Sequence, residues 1–163
     1  MSQLDDKGPS GPFSYSMKPD VFFGQTIMIE ADFTRAVHDK LPPTVKAWKI
    51  RDDYQGGVPD AFYRRRDGQP GRPLWVEYKF LKAAPVRDTT LVVPGLSELQ
   101  KLWLREADQA GEQVQVIVGV PGEGVVFTLE EALRGITAGK FRERLLPYRA
   151  LAAQIAEKVM SYA

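Results

Sequence analysis

Hydrophobic and polar residues alternate in three short runs near the middle of the chain, and this pattern is typical of half-buried β-strands. The runs cover residues 45–50, about 60–65, and 74–81. Between the second and third runs, the residues Asp-Gly-Gln-Pro-Gly at 67–71 favour a turn. These two runs therefore predict a hairpin whose tip lies at 67–71.

Helical spacing of hydrophobic residues appears on both sides of these strands. A helix is predicted from about 23 to 41, ended by Pro42-Pro43. Capping boxes at 97–100 and 128–131 predict two more helices, and a C-terminal helix follows. Valines at alternate positions predict a strand at 114–120, which turns back into 125–127. The residues expected to face inward are Ile27, Phe33, Val37 and Leu41 in the first helix, Leu99, Leu102, Trp103, Ala107 and Ala110 in the second, and Tyr148, Leu151, Ile155, Val159 and Tyr162 in the last.

The order of these elements predicts an α/β fold with a central mixed β-sheet flanked by helices. A right-handed crossover joins the strand at 74–81 to the strand at 114–120. With 163 residues, of which 44% are hydrophobic, the chain suits one domain. We expect this domain to span 21–163, with its core at about 27–128 and C-terminal helices at 129–163. Residues 1–20 are rich in Gly and Pro and predict a flexible arm.

Composition limits the chemistry that the chain can perform. The absence of cysteine excludes disulfides, thiol catalysis and cysteine-ligated zinc, and a single histidine excludes a His-rich metal centre. Any metal must be bound by oxygen atoms, which favours Mg²⁺ or Mn²⁺. The net charge of +1 leaves nucleic-acid binding to local clusters. No apolar run is long enough for a membrane span, and the polar start is no secretory signal, so we expect a cytoplasmic protein.

Two carboxylates and an amine form the candidate reaction centre. Asp60 follows a Gly-Gly turn, and Glu77 and Lys79 lie two residues apart, hence on one face of a strand. If the hairpin closes around 67–71, Asp60 lies opposite Glu77 or beside it. Two carboxylates so close repel each other unless a cation lies between them. We expect Mg²⁺ held by Asp60 and Glu77, with the carbonyl of Tyr78, while Lys79 orients the attacking water or stabilises developing charge in phosphodiester hydrolysis.

This spacing resembles the PD-(D/E)xK nuclease superfamily, in the form Pro59-Asp60 followed by Glu77-Tyr78-Lys79. The wider pattern adds Gly57-Val58 before Pro59-Asp60, then Ser97, Gln100 and Trp103. It is similar to the VRR-NUC group, whose small viral and bacterial members resemble Holliday-junction resolvases. The resemblance covers about residues 27–120.

That resemblance implies a restriction-endonuclease-like core and a homodimer that cleaves DNA with Mg²⁺. It also implies roles in DNA recombination and repair, and it is compatible with a phage-encoded enzyme acting in a bacterial host. Asp60 and Glu77 match the metal ligands, and Lys79 matches the catalytic lysine. Gln100 matches a glutamine beside the site, and Glu30 an acidic residue that supports the metal. The preference for branched DNA is implied by the resemblance alone.

Other basic and aromatic residues are open to two interpretations. The basic residues expected to bind DNA are Arg64, Arg65, Arg66, Lys82, Arg87 and Lys101. Trp75 and Trp103 favour core packing over base stacking, and His38 favours a surface or hydrogen-bonded role over catalysis. Three alternatives stay open: an inactive nucleic-acid-binding module, a nuclease for linear or single-stranded DNA ends, and a protein-interaction domain.

Overall fold

The computed structural model describes residues 21–22, 25–26 and 28–161. The predicted arm at 1–20, Ile27 and Tyr162 lie outside these residues. The helices are α1 (Glu30–His38), α2 (Glu98–Gln109), α3 (Leu129–Arg134), α4 (Ala138–Glu143) and α5 (Tyr148–Met160). The strands are β1 (Val21–Phe22), β2 (Gln25–Thr26), β3 (Val45–Lys49), β4 (Ala61–Arg65), β5 (Leu74–Phe80), β6 (Leu91–Val92), β7 (Gln113–Val120), β8 (Glu123–Phe127), β9 (Ile136–Thr137) and β10 (Leu146–Pro147).

Six strands form the central sheet, in the order β10-β8-β7-β5-β4-β3. β5 and β7 are parallel neighbours joined through α2, and every other pair in this sheet is antiparallel. The predicted mixed sheet is therefore confirmed, and its topology is consistent with a restriction-endonuclease-like core. β5 lies inside the sheet, so a charged residue on it needs a partner within the protein.

Helices cover both faces of the sheet, as predicted. On one face, Phe33 and Val37 of α1 and Leu151 and Ile155 of α5 join the first core cluster. On the other face, Leu104 of α2 packs in a second cluster with residues of α3 and α4. No helix in the described part of the chain is long and apolar enough to cross a membrane.

The first helix is shorter than predicted. α1 begins at Glu30, where the N–H of Ile29 donates to Asp32 Oδ2 at 3.5 Å and the acidic first turn suits the helix dipole. Before it, β1 and β2 pair with each other in an antiparallel ribbon. The spacing of hydrophobic residues before 30 is therefore not helical periodicity, and the predicted start at about 23 was wrong.

The prediction of which residues of α2 face inward was also partly wrong. Leu104 and Ala107 are buried, but Leu99 and Leu102 are 55% and 51% exposed, and Ala110 is exposed at the C-cap. The helix is turned so that Gln100 and Leu104 face the sheet, which leaves the two leucines outward. Two further differences are the short β6–β9 pair and the helix α4, neither of which the sequence patterns predict.

Candidate active site

The hairpin of β4 and β5 brings two of the predicted carboxylates together. Ala61 pairs with Val76, and continuing this register by one residue places Asp60 opposite Glu77. Asp60 Oδ2 accepts a hydrogen bond from the N–H of Tyr78 at 2.9 Å. The Asp60 side chain is thus held by the backbone of the strand that carries Glu77, which fixes the relative position of the two carboxylates.

Glu77 is the chemically unusual residue of the sheet. Its side chain is 1% exposed, and one oxygen, Oε1, receives Lys79 Nζ at 2.9 Å and Gln100 Nε2 at 2.5 Å. The other oxygen, Oε2, is buried and has no hydrogen-bond partner among the described residues. A buried carboxylate oxygen without a partner is unfavourable. The arrangement therefore leaves one coordination position of Glu77 open.

The charges at this site are strongly coupled. Burial raises the pKa of Glu77 to about 7, and the carboxylates of Asp60 and Glu30 add to the rise against the opposing Lys79 ammonium. Burial alone would lower the pKa of Lys79, but its hydrogen bond to Glu77 and the surrounding carboxylates raise it. Lys79 therefore stays protonated, while Glu77 gains and loses its proton near neutral pH.

Gln100 serves the helix and the site together. Its Oε1 accepts the N–H of Ser97 at 2.9 Å, which completes the capping box of α2. Its Nε2 donates to Glu77. The capping residue thus fixes the amide so that its donor end points at the buried carboxylate.

Glu30 opens α1 on the side of the site where Lys79 lies. Partial burial raises the pKa of Glu30, the Lys79 ammonium lowers it, and the Asp60 charge raises it again. Glu30 is more exposed than the other two carboxylates. In the described part of the chain, no three His, Cys, Asp or Glu side chains form a preformed metal cluster. Glu30 therefore influences the site through charge, at longer range than Asp60 and Glu77.

The residues present fit a divalent cation of the magnesium type. Mg²⁺ is bound through one or two carboxylates and keeps several of its waters, so a three-carboxylate cage is not required. Such a pair is provided by Glu77, whose Oε2 has no hydrogen-bond partner among the described residues, and by Asp60, which the strand register places opposite Glu77. Burial is the largest cause of the raised pKa of Glu77, the negative charge of Asp60 adds to it, and a cation bound beside them would lower it.

The predicted DNA-binding residues are dispersed around this centre. Arg64 and Arg66 are exposed near the hairpin, and Lys82 and Arg87 are exposed after β5. Arg65 donates to Asp67 and to the carbonyl of Pro70, so it stabilises the hairpin tip. Lys101 pairs with Glu98 at 2.8 Å. Trp75 and Trp103 are half-buried and in edge contact, with ring centroids 4.9 Å apart.

A buried hydrogen-bond chain beneath the site was missed by sequence reasoning. His38 Nε2 lies 2.6 Å from the hydroxyl of Tyr63, which lies 2.5 Å from the hydroxyl of Tyr78. Burial and nearby Lys49 lower the pKa of His38, so the imidazole is neutral at pH 7 and shares one proton with Tyr63 in this hydrogen bond. His38 is a hydrogen-bonded histidine, as predicted. The signal that could have revealed this chain is the pair Tyr63 and Tyr78. The register of the hairpin places both side chains on the same face of the sheet.

Comparison with known proteins gives little at the sequence level. No family model matches the chain, and no curated protein matches it. Among solved structures, the chain is similar to Hjc, a Holliday junction resolvase from the archaeal hyperthermophile Archaeoglobus fulgidus. The TM-score is 0.45 and the identity 14%, over 76% of this chain and 99% of the resolvase.

Proposed function

We propose that the chain is a metal-dependent endonuclease that hydrolyses phosphodiester bonds in DNA. The observation that supports this most is the buried Glu77, whose Oε1 is bound by Lys79 and Gln100 while its Oε2 has no partner among the described residues. A purely structural role does not explain a carboxylate buried to 1% exposure with one oxygen left open. Binding of a cation explains it.

Each residue has a part in the reaction. Asp60 and Glu77 bind Mg²⁺, for which Mn²⁺ substitutes, with the carbonyl of Tyr78 as a further ligand. Such an ion polarises the scissile phosphate and lowers the pKa of a bound water. Lys79, 19% exposed, directs its ammonium to the attacking water or to the charge that develops on the phosphate. Gln100 holds Glu77 in its ligating orientation, and Glu30 supports the metal through water.

The resemblance of the sequence motifs to resolvase-like nucleases extends this proposal to substrate and assembly. Branched or junction DNA is the proposed substrate, and the basic residues Arg64, Arg66, Lys82 and Arg87 bind its backbone. Cleavage of two strands at a junction requires two active sites, so a homodimer is the proposed assembly.

The test compares the wild-type protein with Asp60→Asn on four-way junction, duplex and single-stranded DNA, in Mg²⁺ or EDTA. Asparagine keeps an acceptor for the N–H of Tyr78. We expect cleavage by the wild type in Mg²⁺ alone, and a loss of about 100-fold or more in Asp60→Asn, because charge stabilisation by the metal depends on its ligands.

The matched control is Asp108→Asn, which removes the same charge from an exposed position on α2. It should cleave at the wild-type rate. Equal cleavage by wild type and Asp60→Asn would show that Asp60 is not part of the reaction centre and would contradict the proposed site. Equal cleavage of duplex and junction DNA would rule out the proposed preference for branched DNA but would still support nuclease activity.

A further inference from the structure

Side chains on one face of β3, β4 and β5 form three successive rows across neighbouring strands. Trp48 pairs with Phe62, and Phe62 with Trp75, while Lys46 pairs with Arg64 one step further along β3 and β4. The carboxylate row consists of Asp60 and Glu77, the aromatic row of Trp48, Phe62 and Trp75, and the cationic row of Lys46 and Arg64. The aromatic row therefore lies between the candidate active site and two cations.

The rings of the aromatic row are in continuous contact. The ring centroids of Trp48 and Phe62 are 5.6 Å apart, and those of Phe62 and Trp75 are 4.5 Å apart. All three side chains are only half-buried. In contrast, residues on the opposite face of the same strands, such as Tyr63 and Val76, are fully buried. The aromatic row is thus an outer surface of the sheet rather than part of a core.

The cationic row has no acidic partner in the described part of the chain. Lys46 Nζ lies 4.5 Å and the Arg64 guanidinium 5.0 Å from the ring centroid of Trp48. No carboxylate of the described residues lies within ion-pair distance of either cation. Two cations that lie beside an aromatic ring, with no counter-charge from the described residues, are complementary to an anion that also carries flat rings.

The helices on this face leave the aromatic row accessible from the β3 side. α2 packs on β7, and α3 packs on β7 and β8. Among the described residues, the ring contact between α2 and the aromatic row joins Trp103 to Trp75, at the inner end of the row. The aromatic row therefore extends from α2 at one end to β3, the edge strand of the sheet, at the other.

We infer that this face binds an unpaired DNA strand beside the scissile phosphate, with bases against the aromatic row and phosphates at Lys46 and Arg64. The inference rests on the proposed nuclease function. Two residues along a strand span about 7 Å. The aromatic row therefore lies on the order of two nucleotide steps from the carboxylates, since stacked nucleotides of one strand are about 3.4 Å apart. Only unpaired bases expose faces for stacking on protein rings, so a duplex cannot use the row in this way.

The simpler explanation is that the aromatic row only stabilises the hairpin, because cross-strand aromatic pairs stabilise sheets by themselves. The two explanations differ in their consequences for binding. If the row is only structural, substituting its residues should change the affinity for single-stranded and duplex DNA equally or not at all. If the row is a stacking surface, substitution should lower the affinity for single-stranded DNA selectively.

The experiment measures anisotropy of fluorescein-labelled oligothymidylate and of a short duplex in EDTA, where the DNA stays intact. We expect Trp48→Leu and Phe62→Leu each to weaken binding of the single strand about tenfold, as loss of one stacked base predicts. Their affinity for the duplex should stay within about twofold of wild type, because duplex bases are not exposed. Thermal unfolding checks that both variants are folded.

Charge variants provide an independent readout that does not depend on ring packing. Lys46→Gln with Arg64→Gln should reduce the slope of log K against log salt for the single strand by about 1.4, since each neutralised phosphate contributes about 0.7. The leucine variants should keep the wild-type slope. Arg149→Gln, which removes an exposed cation from α5 on the opposite face, should change neither slope nor affinity.

The outcomes separate this inference from the proposed nuclease. Selective loss of single-strand binding together with the reduced slope supports the inference even if no variant or wild type cleaves DNA. Unchanged single-strand affinity in both leucine variants, equal losses on single strand and duplex, or an unchanged salt slope in the charge variant would overturn it, even if cleavage depends on Asp60.

Discussion

Gln100 Nε2 lies 2.5 Å from Glu77 Oε1, and this bond joins the first turn of α2 to the middle of β5. The same amide completes the helix cap through the N–H of Ser97. A single side chain therefore sets both where the helix begins and how the buried carboxylate is oriented. The two roles can be separated by substitution, because a glutamate also completes a capping box.

We expect Gln100→Glu to keep the helix and to disable the site. The new carboxylate accepts from Ser97 but places a second negative charge against Glu77, which raises the pKa of Glu77 beyond its present value of about 7. Metal-dependent cleavage at pH 7 should fall by at least about tenfold and recover as the pH rises, since deprotonation then becomes possible. The measurement is cleavage rate against pH in Mn²⁺.

Gln154→Glu is the matched control for this charge, because Gln154 is exposed on α5. It should keep the wild-type pH profile. A Gln100→Glu protein with the wild-type profile would show that Gln100 acts on the cap alone.

The buried Glu77 should make the metal-free protein less stable as pH rises. Its pKa is raised from 4.5 to about 7 on folding, so between these values the folded state binds more protons than the unfolded state. Stability from this group is present below about pH 4.5 and is lost as the pH passes 7. The full difference is on the order of 3 kcal/mol.

Urea unfolding in EDTA between about pH 5 and about pH 8 measures this effect. The lowered pKa of His38 acts in the opposite direction, so the comparison must be between wild type and Glu77→Gln, in which the His38 contribution cancels. We expect Glu77→Gln to gain stability relative to wild type with rising pH, and Mn²⁺ to stabilise wild type alone. Glu143→Gln, at an exposed site on α4, should follow the wild type. Parallel curves for wild type and Glu77→Gln would contradict the assignment.

Local sequence signals were sufficient for the hairpin and both capping boxes. The turn residues at 67–71 fix the register of β4 and β5, so Asp60 could be placed opposite Glu77 from the sequence. The same arithmetic fails for β3 and β4, because symmetric closure around Gly56-Gly57 would pair Trp48 with Arg65 rather than with Phe62. Alternation in β3 shows which of its side chains share a face but not which residue of β4 lies opposite each of them.

Other features depend on contacts between distant segments. The exposure of Leu99 and Leu102 follows from how α2 is rotated on the sheet, and the bond of Gln100 to Glu77 helps to set that rotation. Helical spacing gives an apolar side of a helix but does not give its rotation when polar contacts compete. The start of α1 was missed because helical spacing does not show that β1 and β2, which precede the helix, pair with each other.

The Tyr63 hydroxyl should be worth more than one hydrogen bond. Tyr63→Phe removes its bonds to His38 and Tyr78, and leaves the fully buried Tyr78 hydroxyl without a partner. We expect a loss of about 1–3 kcal/mol in the free energy of unfolding. Tyr78→Phe should lower the free energy of unfolding less in the Tyr63→Phe background than in the wild type. The reason is that both partners of the hydrogen bond are absent in the double variant. The measurement is a double-mutant cycle by urea unfolding, and strictly additive losses would show that the two hydroxyls are not coupled.

The turn before Asp60 should be as important for activity as the carboxylates. Gly57 has φ +79°, and a Cβ built on it would lie 2.6 Å from the carbonyl oxygen of Leu99. Leu99 immediately precedes Gln100, the residue of α2 that binds Glu77. The turn that leads to Asp60 therefore packs directly against the start of this helix. We expect Gly57→Ala to push the turn away from α2, to lower stability and to reduce metal-dependent cleavage at least about tenfold, because ligand positions must hold within about half an ångström.

Gly68 at the hairpin tip provides the matched control for this prediction. It has φ +71°, and a Cβ there meets nothing within 4 Å. Gly68→Ala therefore carries the same backbone strain, about 1–2 kcal/mol, without the collision. Its stability should fall by that amount while its cleavage rate stays at the wild-type level, and Gly57→Ala should lose more stability and also activity. If the two variants lose equal stability and cleave equally well, the contact between the turn and α2 does not position the site, and Asp60 must be held by its bond to Tyr78 alone.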